Sequence, residues 1–182
     1  MNLLFEGKTC YLRTLTVEDA EDMVRVLQKN RNYWAIYEPR HRDSYFTIAV
    51  QREKIRESIY QARENREYSF GIFSHESNQL IGHISIYSIK RLPFLSALVG
   101  YSMDEQFIGR GIASEAVKLV TTFGFEQLRL HRIEAYVSPD NVGSLRVLEK
   151  AGFQKEGLLK RFLFINGEWK DHYYYALLED DF

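Results

Sequence analysis

The chain has 182 residues, a formal net charge of −1, 45% hydrophobic residues and 27% charged ones. That length suits one well-cored domain and is short for two, and the near-neutral balance carries no global basic field that would argue for nucleic acid. No apolar run approaches the ~20 residues that span a bilayer, the N-terminus lacks a basic segment followed by an apolar one, and the lone cysteine, Cys10, has no internal partner for a disulfide. These features point to one cytoplasmic domain over residues 1–182, with Cys10 a half-buried small hydrophobe rather than a nucleophile.

In chain order, residues 8–15 alternate in polarity and begin a sheet. Thr16 is placed to cap a helix, with Glu18 and Asp19 in its first turn and Ala20, Met23, Val24 and Leu27 along one face. Residues 30–47 read as irregular and rich in aromatics and arginine. A second helix is expected over 48–66, with a solvated Arg/Glu face, then strands over 68–74, 80–90 and 96–103. The long helix over 111–128 carries an apolar stripe of Ala116, Leu119, Val120, Phe123 and Phe125. A strand over 133–137 follows, then a helix over 142–151 closed by Gly152, and a hairpin of 159–165 and 169–178 around Asn166-Gly167. The strand–helix–strand order over 96–137 implies one parallel crossover in an otherwise antiparallel sheet, so the fold class is α/β (α+β), a mixed sheet with helices on both faces.

The segment Gln106-Phe107-Ile108-Gly109-Arg110-Gly111-Ile112-Ala113 joins a strand to the long helix. Gly109 and Gly111 remove the Cβ atoms that would keep a phosphate from the backbone, and the helix start offers unpaired N–H groups and a positive dipole end. Arg110 can add a charged contact. The Gly-Lys-Ser/Thr ending of a P-loop is absent, and Ser114 stands where a dinucleotide fingerprint has its third glycine. On the bare Gly-x-Gly, an anion site and an unliganded turn both remain open.

The wider pattern resembles a known family. Gln-x-x-Gly-x-Gly-x-Ala after a strand ending Val99-Gly100-Tyr101-Ser102-Met103 is similar to the acetyl-CoA motif of GNAT acetyltransferases. The run from Val137 to Ser144, followed by Leu148-Glu149-Lys150-Ala151-Gly152-Phe153, resembles that family's second signature. The tail Ile165-Asn166-Gly167-Glu168-Trp169-Lys170-Asp171-His172 resembles the RimJ/RimL group of ribosomal-protein alanine N-acetyltransferases. The resemblance implies the GNAT fold: six to seven strands, mostly antiparallel and twisted, a bulge on the strand containing Val99, and a central parallel pair that splays apart. It implies acetyl-CoA as co-substrate, no metal, and direct attack of an amine on the thioester in a ternary complex.

By the same resemblance, Tyr101, Ser102 and Met103 pair with pantetheine through backbone groups, and Gln106, Phe107, Ile108, Gly109, Arg110, Gly111, Ile112, Ala113 and Ser114 hold the pyrophosphate. Asn141 bonds pantetheine from the other side or caps the following helix. Arg146 and Lys150 lie near the CoA phosphates or on a solvated face. Glu105 takes the amine proton or is a surface carboxylate; Ser144 protonates the thiolate or caps its helix; Tyr101 is the reserve acid. Trp34, Tyr37 and Glu38, in a stretch resembling the Trp-x-Pro region of RimJ-like proteins, line the acceptor groove or a satellite cluster. Many relatives carry Glu where this chain has Leu98, which bears on acceptor choice. The five histidines show no metal-ligand spacing.

The leading function is thus acetylation of a protein N-terminal amine. A small-amine acetyltransferase is the second reading, favoured by an acidic groove, and a non-catalytic acetyl-CoA sensor the third. Neither nucleic acid nor membrane is an expected partner, and the hairpin's edge strand can pair with a second copy.

Overall fold

The computed structural model describes residues 2–182. Its N-terminal run makes two strands where one was expected. β1 (Leu4–Glu6) and β2 (Cys10–Arg13) pair antiparallel, with Leu4 opposite Arg13. The chain reverses at Gly7, whose N–H donates to the Cys10 carbonyl at 2.9 Å. Far along the chain, the Glu115 carboxylate accepts from the N–H groups of Lys8 (2.6 Å), Thr9 (2.8 Å) and Cys10 (3.2 Å) and so staples this turn. Burial opposes the charge on Glu115, but the Thr9 hydroxyl and these N–H donors outweigh it and hold the carboxyl below its usual range. A three-residue strand is too short for alternation to reveal, and with it the sheet has eight strands against the expected six to seven.

A short 3-10 turn at Val17–Asp19 leads into α1 (Ala20–Trp34). Thr16 precedes it as expected, but Asp19 does the bonding: it accepts from the Thr16 N–H at 2.7 Å and from both ends of the Arg13 guanidinium. α1 runs through Trp34, well into the stretch read as irregular, and Asp43–Phe46 forms one further 3-10 turn. The aromatic richness there belongs in part to a small second core, in which Trp34 and Phe46 join Met23, Val26 and Leu27 against Phe73 and Leu80. α2 (Ile48–Arg63) is capped by Thr47, whose hydroxyl accepts from the Val50 N–H.

β3 (Tyr68–Ser74), β4 (Leu80–Lys90) and β5 (Ser96–Met103) form an antiparallel meander. α3 (Ile112–Glu126) crosses over to β6 (Arg132–Val137), which lies parallel to β5. After α4 (Val142–Lys150), the hairpin of β7 (Gln154–Ile165) and β8 (Glu168–Leu178) turns at Asn166 (φ +51) and Gly167 (φ +94). The strand order is β1-β2-β3-β4-β5-β6-β8-β7.

The main core lies between α3 and one face of the sheet. Val117, Val120 and Phe123 pack on Phe70, Ile72, Ile84 and Ile86, each all but sealed from solvent. Burial of each such side chain stabilises by roughly 1.5–3 kcal/mol relative to exposure. α1 covers part of the opposite face, where β4 presents His83 against Trp34. By strand alternation Ser85 and Tyr87 share that face with His83, so it is polar and aromatic where the other is aliphatic.

β5 and β6 pair only over Ser96–Leu98 and Arg132–Glu134. Beyond that, β5 continues against β4 and β6 against β8, so the parallel pair opens into a splay at its C-terminal end. The bulge expected on β5 is not there. Its pairing with β4 is continuous from Leu98 to Met103, and the irregularity sits on β4 between Tyr87 and Lys90, with Ser88 at φ +51.

Candidate active site

At the open end of the splay, β5 passes through a 3-10 turn at Glu105–Phe107 into Gly109 (φ +76) and Gly111 (φ +81), the latter capping α3. An L side chain held there costs about 1–2 kcal/mol, although a Cβ at either glycine would meet nothing within 4 Å. The glycines are needed for backbone conformation, and the space before them is open. The Glu115 N–H is bonded to the Gly111 carbonyl at 3.1 Å, which leaves those of Ile112, Ala113 and Ser114 at the positive end of the helix without intrahelical partners.

The loop is held from behind by α1. Lys29 donates to Asp104 (2.6 Å) and to Gln106 Oε1 (2.8 Å); Asn30 Oδ1 accepts from the Glu105 N–H (2.9 Å); Trp34 Nε1 donates to the Met103 carbonyl (2.9 Å).

A cleft of about 420 Å³ runs from this loop to the splay. Of the residues picked out in the sequence, Trp34, Tyr37, Glu38, Tyr101, Ser102, Met103, Phe107, Ile108, Gly109, Gly111, Ile112, Ala113, Ser114, Asn141, Ser144, Arg146 and Lys150 line it. Tyr33, Gly143 and Val147 join them without having been singled out. Glu105, Gln106 and Arg110 stand outside. Glu105 is exposed, the Gln106 carboxamide is taken by Lys29, and Arg110 lies over the Phe107 ring and 3.7 Å from Glu76. Arg146 and Lys150 bring positive charge to the cleft, and Glu38 is the one carboxylate on its wall.

A second cavity of about 440 Å³ lies over the polar face of the sheet. Its wall includes His83, Ser85, Tyr87, Gly100, Tyr136, His172 and Glu67, and no lysine or arginine. Tyr37, Glu38, Tyr101, Ser102, Asn141 and Ser144 belong to both walls, so the two spaces meet through the splay.

Two pairs of groups mark that junction. The Tyr101 hydroxyl lies 2.7 Å from Ser144 Oγ, and burial pushes its pKa up, so it stays protonated and can donate. Asn141 Oδ1 accepts the Ser144 N–H at 3.1 Å. The capping role therefore falls to Asn141, leaving the Ser144 hydroxyl to Tyr101. In the second pair, Glu38 accepts a hydrogen bond from the Ser102 hydroxyl. Burial raises the Glu38 carboxyl above its usual range, and the Ser102 bond offsets part of that rise.

The loop carrying Glu38 is pinned at two points. The Tyr37 hydroxyl donates to the Asp140 carbonyl (3.1 Å). From the hairpin turn, Asn166 donates to the carbonyls of Ala35 (2.9 Å) and Glu38 (3.2 Å) and accepts from the Arg40 N–H (2.9 Å). His83 meets the Trp34 ring edge-on at 5.5 Å, and burial holds its imidazole at about 4, neutral. His83, Tyr87, Glu67 and the grip of Asn166 were missed in the sequence. The strand alternation that puts His83, Ser85 and Tyr87 on one face was the available signal.

Among the described residues, no group of His, Cys, Asp or Glu is arranged to hold a metal ion, and no helix is long and apolar enough to cross a membrane.

Residues 10–154 match the family model described as the acetyltransferase (GNAT) domain. The chain is 43% identical over 178 residues to a probable N-acetyltransferase, YjcK, of Bacillus subtilis, covering 98% of each chain. Its structure is similar to a ribosomal-protein-S5-alanine acetyltransferase from Vibrio fischeri, with a TM-score of 0.93, 32% identity and 98% of each chain covered. It is also similar to Mycobacterium smegmatis RimJ solved in complex with CoA-disulfide, with a TM-score of 0.89, 29% identity and coverage of 94% of this chain and 82% of that one. Cleft, splay and sequence thus agree: the chain belongs to the GNAT acetyltransferase family, in the neighbourhood of the RimJ/RimL enzymes.

Proposed function

We propose that the protein moves the acetyl group of acetyl-CoA onto the α-amine of a protein N-terminus, by direct attack while both substrates are bound. One observation carries this reading: two cavities share a wall at the splay, formed by the Tyr101–Ser144 pair, Glu38 and their neighbours. The first suits the co-substrate. Its outer end offers free helix N–H groups behind two left-handed glycines, and Arg146 and Lys150 add charge of the sign a pyrophosphate needs. The similar RimJ structure contains a CoA disulfide. The second cavity suits the amine, and the similar Vibrio fischeri enzyme is described as acting on ribosomal-protein-S5 alanine.

In the reaction a neutral amine attacks the thioester carbonyl, a C–N bond forms, the C–S bond breaks, and the amine proton must leave. An N-terminal amine titrates near ~7.7–8.0, so a useful fraction is neutral at pH 7. Glu38 stands at the meeting point and is the better-placed acceptor for that proton; Glu105 faces solvent outside both cavities. Tyr101, protonated and bonded to Ser144, supplies a proton to the departing thiolate. Among small-amine acceptors the cation-free wall of the second cavity favours polyamines, and that is the second reading.

The test is mass spectrometry of peptides beginning with Ala or Ser, N-blocked lysine peptides and spermidine, each incubated with acetyl-CoA and the protein. Acetyl gain confined to free peptide N-termini supports the first reading, gain on spermidine alone the second, and none anywhere overturns both. With the preferred acceptor, Glu38→Gln is expected to lower kcat by about 10²–10³, and Glu105→Gln by less than about threefold. The reverse order would return the proton-acceptor role to Glu105.

A further inference from the structure

The reaction centre occupies one end of the second cavity, and nothing in the acetyl transfer requires the remainder. We infer that its far end, at Glu67 and Tyr87, is a subsite for a second positive charge on the acceptor. This inference rests on the reading of that cavity as the acceptor's. Glu67 is half-buried where the chain enters β3. Its carboxylate is fixed by the Ser69 hydroxyl at 2.8 Å, and Ser69 is fixed in turn by Ser85 at 2.7 Å, yet no ion pair neutralises it among the described residues. Beside it the Tyr87 ring lies across Gly100, where an added Cβ would come within 3.2 Å of the ring. That glycine lets an aromatic face line the floor of the cavity. A carboxylate held by neutral donors next to tyrosine rings is a good environment for an ammonium or guanidinium, through charge and through cation–π attraction.

The spacing sets the substrate class. Tyr87 stands four residues along β4 from His83, which pairs with Ser102 beside Glu38. At ~3.3 Å per residue that is about 13 Å of strand. The Glu67 carboxylate itself lies back at Ser69, whose register partner Ser85 is two residues from His83, so an acceptor that fills both ends carries its second cation roughly 7–13 Å from the reacting amine. A lysine or arginine near the start of a peptide reaches that far, and so does the distal amine of a linear polyamine.

The experiment compares kcat/KM for matched peptides Ala-Ala-Lys and Ala-Ala-Gln, and for spermidine against propylamine, with the full-length protein and with Glu67→Gln, whose amide can still accept from Ser69. The cationic member of the productive pair is expected to win by about tenfold, the size of one partly screened charge pair. Glu67→Gln is expected to bring that ratio close to one. A ratio near one in the unaltered protein, or one that survives Glu67→Gln, overturns the subsite while leaving N-terminal acetylation standing. A Glu67-dependent preference seen only in the amine pair keeps the subsite and removes the N-terminal reading. No transfer to any of the four removes both.

Discussion

The ionisation of Glu38 is set by its neighbours. A glutamate in solution is ionised well below neutral pH, whereas here burial lifts the carboxyl and only the Ser102 hydroxyl works against that lift. Ser102→Ala removes a donor that favours the charged form, so the Glu38 pKa should rise further. If Glu38 must be ionised to accept the proton, the acidic limb of the kcat/KM–pH profile should move to higher pH in this variant. A limb that stays put, or moves down, would show that another group is titrating. The sequence could not reveal this. It placed Glu38 in a Trp-containing stretch of a suggestive kind, but whether that stretch folds back over β5 depends on Trp34 reaching the Met103 carbonyl and on Asn166 gripping the loop, both long-range contacts. Gly109 and Gly111 were legible because positive φ leaves few residues to choose from.

Among the elements, the β7–β8 hairpin is the clearest case of a local signal with a distant use. Asn-Gly identifies its turn at sight, and the turn forms as expected. Its asparagine then reaches across to the loop after α1. Asn166→Gly keeps the backbone conformation available while deleting the amide. Because the site is exposed, the stability cost should be about 1 kcal/mol, read by chemical denaturation. The larger expected effect is on catalysis: an unpinned Glu38 loop should raise KM for the acceptor and lower kcat, with acetyl-CoA affinity little changed. Equal losses in both substrates' binding would indicate general loosening instead. Long elements with clear patterning, β3, β4, β5 and α3, matched their expected spans closely because each packs most of its length into the core. β1 escaped notice because it is three residues long and is kept by Glu115, which lies more than a hundred positions away.

Two carboxylates outside the reaction centre tie the whole molecule together. Asp19 and Glu115 are both opposed by burial, and both are held below their usual range by donors, Arg13 and Thr16 for Asp19 and the β1–β2 turn for Glu115. A carboxyl depressed in the folded state adds stability above its unfolded pKa and loses it as pH falls through the folded value. Thermal midpoints should therefore be steady above about pH 5 and fall below about pH 4. Glu115→Gln should flatten part of that fall, and an unchanged acid profile in the variant would remove Glu115 from the account. Cys10 sits beside the same staple, where burial and the Glu115 charge push its thiol to about 12. The parallel crossover and the antiparallel remainder were readable from the succession of elements, whereas the seating of β8 between β6 and β7 was not. The gap through the sheet was expected only by resemblance, since no local pattern in β5 or β6 announces where their pairing stops.

That gap also governs traffic. The first space reaches from the glycine loop and α4, the second from the polar strand face, and the two share a wall at the splay, so on the proposed reading a guest in each would meet the other there. On that same reading the acetyl group passes directly between them and needs no parking place on the protein. The chain's single thiol, its most obvious parking place, is locked away behind Glu115 and offers none.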